Sequence, residues 1–320
     1  TKPGKDPGDT PVAAGYKLSS NVIGNLFDEI RYELAGQQIS KSRLIGLTST
    51  IKAILVKNTL DKNTYHLAGF DRAGYELTDN TFTFCVPLKL ILPFFEDFQR
   101  IILNLKQELV LLRSPTDLNC VESQSGTNVS VKITKLQWRM PYITLEDHVR
   151  LKFLRLLDAD TPLKLGFRHW EICELPNLQN SLNHSWAVRT TSSFDSPKYV
   201  IIAFQTDRKN KIKKSISNFD SCGIYNVKVY LNSEYYPYEN LLGKKEVLYR
   251  MFLDFAPSYY NHSINSELGT EIDFKTFCES TPLIVVDCSH QPSHLKSSTD
   301  VRIEMEFNNA VPANTSSIAF

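Results

Sequence analysis

FTFCVPLKLILPFFEDFQRIILNLKQELVLLR, residues 82–113, is the most apolar and most β-rich stretch of the chain. Its second half alternates. Ile101, Leu103, Leu105, Leu109 and Leu111 share one parity, and Asn104, Lys106 and Glu108 take the other. A period of two with one wet face predicts a half-buried strand in an antiparallel sheet. Pro87 and Pro93 break the run ahead of that strand, because proline has no amide hydrogen for a ladder. After Pro93, Phe94-Phe95-Glu96-Asp97-Phe98 predicts a short turn of helix.

Elements of the same kinds return about 200 residues later, in the same order. EIRYELAGQQI (29–39) falls on NVKVYLNSEYY (226–236), with Ile30 over Val227, Arg31 over Lys228, Leu34 over Leu231, Gly36 over Ser233 and Gln37 over Glu234. TSTIKAILV (48–56) reads as a short amphipathic helix that Thr48 or Ser49 can cap, and it falls on EVLYRMFLDF (246–255). Phe84–Leu88 falls on Leu283–Asp287. The alternating strand from Ile101 falls on the one from Val301, where Val301, Ile303, Met305 and Phe307 alternate with Arg302, Glu304 and Glu306. A constant offset across four elements is what a structural duplication produces.

Around these pairs the chain reads as further short strands. Leu26–Ile39 is a strand ending at Gly36. Val129–Met140 is another, with Val129, Val131 and Ile133 on one parity and Leu136, Trp138 and Met140 on the opposite one. Such a switch predicts a bulge or bend near Thr134–Lys135. Leu163–Ile172, Ser185–Thr191, Tyr199–Thr206, Val227–Tyr235, Pro282–Cys288 and Val301–Phe307 complete the set. Lys57–Asn80 is polar and turn-rich and reads as a long loop. Thr144–Leu157 is the clearest helix, with an apolar stripe of Leu145, Val149, Phe153, Leu156 and Leu157 and a capping-box-like pair in Thr144 and Asp147.

This organisation predicts a mainly β chain: two tandem jelly-roll β-sandwiches with short helices inserted in loops. The first roll spans residues 1–143, a connecting helix and linker 144–162, and the second roll 163–320. On the repeat, the strands between 163 and 206 have partners before residue 1, and Val129–Met140 has its partner after residue 320. The first roll is therefore expected to lack its N-terminal strands and the second its last strand.

The bulk numbers agree with a packing protein. The chain of 320 residues carries 36 basic and 35 acidic side chains, so nothing in the balance demands nucleic acid as a partner. Its 42% hydrophobic content allows large cores, and 18 Phe and 14 Tyr suit sheets packed against rings. Cys85, Cys120, Cys173, Cys222, Cys278 and Cys288 are dispersed, without C-x-x-C pairs, and read as free, mostly buried thiols in a reducing compartment. Asn-x-Ser/Thr triplets at Asn128, Asn183, Asn261 and Asn314 come without a signal peptide. The opening TKPGKDPGDTP lacks an apolar core and reads as a flexible tail, and no apolar run is long enough to span a membrane.

The phrases LFDEIRYELAGQQI, FCVPLKLILPFFEDFQRIILNLKQELVLLRS, VKITKLQWRMPYI, YVIIAFQTDRKNK, VKVYLNSEYYPYENL and IVVDCSHQ resemble the double jelly-roll-domain proteins widespread in arthropod genomes. These are similar to the major capsid proteins of Polinton-like, adintovirus-like and related large DNA elements. The resemblance runs from about Leu26 to the C-terminus. It implies two rolls standing side by side, three copies forming a pseudo-hexagonal capsomer, and capsomers tiling an icosahedral virion shell assembled in the host cytoplasm or nucleus. The partners implied are further copies of the chain, other capsid proteins and packaged DNA. The family's earlier N-terminal strand region and its C-terminal extension fall outside the sequence, which leaves assembly by this stretch alone open.

No residue pattern points to catalysis, a cofactor or a metal. His290 and His294 are four apart, but Pro292 argues against the helix that such a ligand pair needs. The H-x-H of metal-dependent jelly rolls does not occur, nor does a Gly-rich phosphate loop or a G-x-S-x-G elbow. The candidate site residues are therefore those of contacts. Arg208, Lys209, Lys211, Lys213 and Lys214 form the strongest local charge. They are either a solvated loop or a patch for neighbouring capsomers or for the phosphates of packaged nucleic acid. Without interleaved aromatics such a patch would be blind to sequence. Tyr225, Tyr230, Tyr235, Tyr236 and Tyr238 read mainly as sheet packing, whereas Tyr259 and Tyr260, in a loop after the second helix, read as interface candidates. The function expected is that of a structural, non-enzymatic capsid protein. The alternative is a domesticated capsid-derived or lectin-like binding module that builds no shell.

Overall fold

A tight hairpin sets the pattern. FDEIRYEL buries Ile30, Tyr32 and Leu34 on one face, turns through Ala35 and Gly36 at φ 49° and 80°, and returns as QQISKSR. Two positive φ values match the twist of the flanking strands, and Gly36 adopts its value without steric conflict. The computed structural model describes residues 16–56, 62–71, 74–76, 81–100, 102, 105–124, 129–159, 162, 164–188, 197–260, 272–290 and 300–320. In chain order its first half contains β1 (Tyr16–Leu18), α1 (Val22–Asn25), β2 (Phe27–Leu34), β3 (Gln37–Arg43), α2 (Ile45–Val56), α3 (Lys62–Leu67), β4 (Tyr75–Glu76), α4 (Phe94–Asp97), β5 (Gln107–Arg113) and β6 (Val121–Ser123). After α5 (Asp147–Asp158) come β7 (Cys173–Leu175), β8 (Asn183–Val188), β9 (Tyr199–Thr206), β10 (Ile224–Leu231) and β11 (Glu234–Tyr236). The chain then runs through α6 (Lys245–Tyr260), α7 (Phe274–Ser280), β12 (Ile284–Asp287), β13 (Val301–Phe307) and β14 (Thr315–Ala319).

All pairings between these strands are antiparallel. The first half forms sheets in the order β4-β1-β6 and β3-β2-β5, the second β12-β9-β14-β7 and β11-β10-β13-β8. The duplication is visible in this order. Sheet β3-β2-β5 repeats as β11-β10-β13, and β4-β1-β6 repeats as β12-β9-β14. The second half carries one further strand on each sheet, β7 beside β14 and β8 beside β13. Both halves are jelly rolls, the second with eight strands among the described residues.

Several expected elements fall elsewhere. The repeat partner of β12 is β4, not Phe84–Leu88. Residues 84–88 stay out of the sheets because the Cys85 N–H donates to Leu67 and Pro87 opens a short 3-10 turn at Leu88–Leu90. The partner of β14 is β6, not Val129–Met140, and no strand is assigned within 129–146. Thr315–Ala319 is paired on both sides, with β9 and β7, so the second roll holds the strand expected to be missing. No strand is described within 164–172, and the strand begins at Cys173. The stretch read as one long loop contains α3 and β4. Thr48 and Ser49 do not cap α2, which starts at Ile45. Their hydroxyls donate back to the Arg43 and Ile45 carbonyls. Glu146, not Thr144, stands at the start of α5, without a side-chain capping bond. Ile101, Leu103, Asn104, Leu163, residues 189–191, the N-terminal stretch and His294 lie outside the described residues.

One helix is shared between the cores of the two rolls. Ile45 of α2 belongs to the first roll's cluster with Ile30, Tyr32, Leu92 and Phe94. Leu47, Ile51, Ile54 and Leu55 of the same helix belong to the second roll's cluster with Phe204, Phe252, Phe277 and Val286. Ala53 packs on a third cluster with Tyr65, Phe70 and Leu90. Every residue of α2 but Val56 is buried, its three hydroxyl side chains and its lysine included. Its entry is held by Asn21, whose Nδ2 donates to the Gly46 carbonyl at 2.9 Å and to Ser49 Oγ at 2.7 Å. Gly46 admits α1 to close range. A methyl group there would stand 1.9 Å from Asn25 Oδ1 and 3.2 Å from Asn25 Cα. Gly46→Ala is expected to lower stability by about 1–3 kcal/mol, the usual range for overpacking, in a urea titration.

Candidate functional site

The junction between the rolls is polar at its centre. Lys52 is the one charged residue of α2, and its side chain is only 3% exposed. Its ammonium lies 3.0 Å from Glu96 Oε2, on α4, and 4.0 Å and 4.3 Å from the ring centroids of Tyr259 and Trp170. The Tyr259 and Tyr260 hydroxyls both donate to Glu96. Beside them Arg168 forks onto Asp97, with Nε 2.9 Å from Oδ2, while its main-chain N–H reaches the same oxygen at 2.7 Å. Arg168 Nη1 donates to the Tyr259 carbonyl at 2.7 Å, and its guanidinium lies 3.9 Å over the Tyr259 ring. Planar charge on a ring face and a bidentate fork are the geometry for which arginine is suited.

Burial sets the electrostatics. It pulls the Lys52 ammonium down to about 8, against the opposing pull of Glu96. Burial also works against the Asp97 charge, but the Arg168 hydrogen bonds outweigh it and hold that carboxyl below its usual value. Tyr259 and Tyr260 are pushed well above the ordinary phenol value by burial and then by the Glu96 carboxylate. Each of these charges is met by a partner from another part of the chain. The arrangement fixes one roll against the other.

The sequence-selected residues divide. Tyr259 and Tyr260 do not sit in a loop. They form the last turn of α6, which continues through Pro257, and they face the junction between the rolls. The basic stretch is neither plain solvated loop nor bare patch. Arg208 is forked onto Asp220, with Nε 2.8 Å from Oδ2, and Nη1 reaches the Ser215 carbonyl. Lys209 lies 2.7 Å from Glu174 Oε2. Lys211 and Lys214 approach Asp207 at 3.6 Å and 3.9 Å, and Lys213 is exposed. The residues between the cations do the anchoring. Asn210 and Asn119 exchange two hydrogen bonds, at 2.7 Å and 3.1 Å, and the Ser123 N–H donates to the Ile212 carbonyl at 2.8 Å. This loop of the second roll thus clips onto β6 of the first. Tyr225, Tyr235 and Tyr238 are exposed on or beside the outer face of the β10–β11 hairpin, and Tyr236 is buried. Sequence reasoning missed Lys52, Glu96, Asp97 and Arg168. The one available signal was a lone lysine inside the apolar run TSTIKAILV.

No helix among the described residues is long and apolar enough to cross a membrane. No curated protein matches the chain. Among solved structures, the chain is similar to PBCV-1 VP54 as fitted into a reconstruction of the virophage Sputnik. The TM-score is 0.51 and the identity 12%, over 95% of this chain and 82% of that one. It is also similar to a chain of the Sputnik virophage structure determined by cryo-electron microscopy, at TM-score 0.50 and 8% identity, over 98% of this chain and 76% of that one. At these identities the likeness is one of fold. The family profile described as a double jelly roll-like domain matches residues 16–320, the same span over which the duplicated sheets and their shared helix were traced, and the chain belongs to that family.

Proposed function

We propose that the chain is a capsid protein that works by self-association. Three copies form a pseudo-hexameric capsomer, and capsomers tile an icosahedral virion shell. The observation that carries this reading is the pair of like rolls held together by α2, by the Tyr259 and Tyr260 hydroxyls on Glu96 and by the Arg168–Asp97 fork. A three-fold ring of such chains presents six similar rolls around its rim, so a trimer can sit where a hexagonal tile is needed. Rigidity between the rolls keeps the tile's shape, and a near-balanced charge lets copies pack without strong mutual repulsion. The fold shared with PBCV-1 VP54 and the Sputnik virophage chain points the same way. The work is contact, with no bond made or broken. The exposed Lys211, Lys213 and Lys214 are the cations open to a neighbouring capsomer or, without sequence preference, to packaged DNA in an infected cell.

Mass photometry of the full-length protein, followed by negative-stain microscopy, tests the reading. Trimers, or shells tens of nanometres across, are expected. A monomer that persists across salt and pH would overturn it in favour of a binding module.

A further inference from the structure

The first roll grips the second at two places that recur in the duplication. One is α2, whose Leu47, Ile51, Ile54 and Leu55 enter the second roll's core. The other is the connection from β5 to β6, whose Asn119 exchanges hydrogen bonds with Asn210. The repeat of α2 is α6, and packing fixes their register. Ala53 of α2 shares a cluster with Tyr65 of α3, the helix ahead of β4. Phe252 of α6 meets Phe277 of α7, the helix ahead of β12, at 5.2 Å.

With Ala53 set over Phe252, the gripping residues Leu47, Ile51, Ile54 and Leu55 fall on Glu246, Arg250, Leu253 and Asp254. All four of these are exposed on α6, and Val247 is exposed beside them. The repeat of the β5–β6 connection, between β13 and β14, is likewise exposed at 308–310 and 312–314. Singly, exposed side chains of this kind need no explanation. Their correspondence does. Both surfaces by which the first roll grips the second recur, open to solvent, on the second roll. In a closed ring that alternates first and second rolls, each second roll meets another first roll on its far side, and a heterologous contact repeats the same pair of surfaces at every step.

We propose that the outward face of α6, with Glu246, Val247, Arg250, Leu253 and Asp254, and the β13–β14 connection beside it dock on the first roll of a second copy of the chain. They do between copies what α2 and the β5–β6 connection do within one. The inference rests on the trimeric reading above and deepens it by separating two kinds of step around the ring. Where α2 brings four aliphatic side chains to its step, α6 brings one leucine among three charges. The step within a chain is a shared core. The step between copies is a more polar contact that forms and parts without unfolding either roll, and salt weakens it.

The test is made on the full-length protein by mass photometry over a dilution series. Arg250→Glu combined with Leu253→Glu is expected to move half-dissociation of the trimer to a concentration about tenfold higher or more. Both side chains are exposed in the single chain, so the melting temperature of the monomer is expected to stay where it is. A second measurement does not depend on that variant. Leu253→Cys, with the exposed Cys85 changed to serine, is expected to react with a maleimide about tenfold more slowly in the trimer than in the diluted monomer. Trimers that survive the double change undiminished, with the thiol equally reactive in both states, would overturn this face and leave the trimer standing. An unmodified chain that forms no trimer would overturn both.

Discussion

Lys52→Met is expected to cost the fold about 3–5 kcal/mol, measured by denaturant titration, because it leaves the Glu96 carboxylate buried without its cation. Lys52 is 3% exposed and Glu96 12%, so water cannot make good the loss. Adding Glu96→Gln should return much of it, since a neutral amide still accepts from the tyrosine hydroxyls. The pair also leaves a pH signature. In the folded protein Lys52 releases its proton near pH 8, whereas the unfolded chain holds it to about 10.5. Between those values the unfolded state binds more protons, so stability rises with pH. Below pH 8 both states are protonated and this slope vanishes. Above about pH 10, where unfolded tyrosines ionise, the raised pKa values of Tyr259 and Tyr260 turn the slope downward. The methionine variant should lack the rise between pH 8 and 10. A rise of the same size in the variant would remove Lys52 as its source.

Phe94→Ala is expected to be of similar size, about 3–5 kcal/mol, as for other fully buried phenylalanines. The ring is 0% exposed, stacks on Tyr32 and Phe98 at 5.1 Å and 5.0 Å, and meets Phe95 and Phe167 edge-on at 5.3 Å each. Phe167 precedes Arg168, so the cavity would open beside the Asp97 fork as well as inside the first roll. Calorimetry should show a single transition, moved as a whole to lower temperature. Two transitions, only one of them displaced, would mean that the rolls unfold independently and that α2 does not couple them.

What was legible in the sequence follows from what strand and helix patterns record. β2, β9, β10 and β13 are long enough for burial to print a period or an unbroken apolar run, and each was placed within a few residues. β4 has two residues and β6 three, too few for a period, so the sheet they share with β1 was invisible. Val129–Met140 shows the opposite limit. Its alternation is real, but alternation reports parity and says nothing of a partner strand. The junction was out of reach for a further reason. Lys52 and Glu96 are 44 residues apart, Asp97 and Arg168 71, and Glu96 and Tyr260 164. No local pattern links such positions. The basic loop drew notice by its charge, while its grip on the first roll comes from Asn210 and Ile212, which carry none.

The covalent seam and the energetic seam of this molecule lie in different places. The chain passes from one roll to the other through α5, none of whose residues is buried, yet the halves are held together by α2, which is buried on all sides. A protease that reached α5 would sever the chain without releasing either half. By the same logic, the two halves made as separate polypeptides would have to find each other to be complete, because the second roll's core includes four side chains, Leu47, Ile51, Ile54 and Leu55, that the first half supplies.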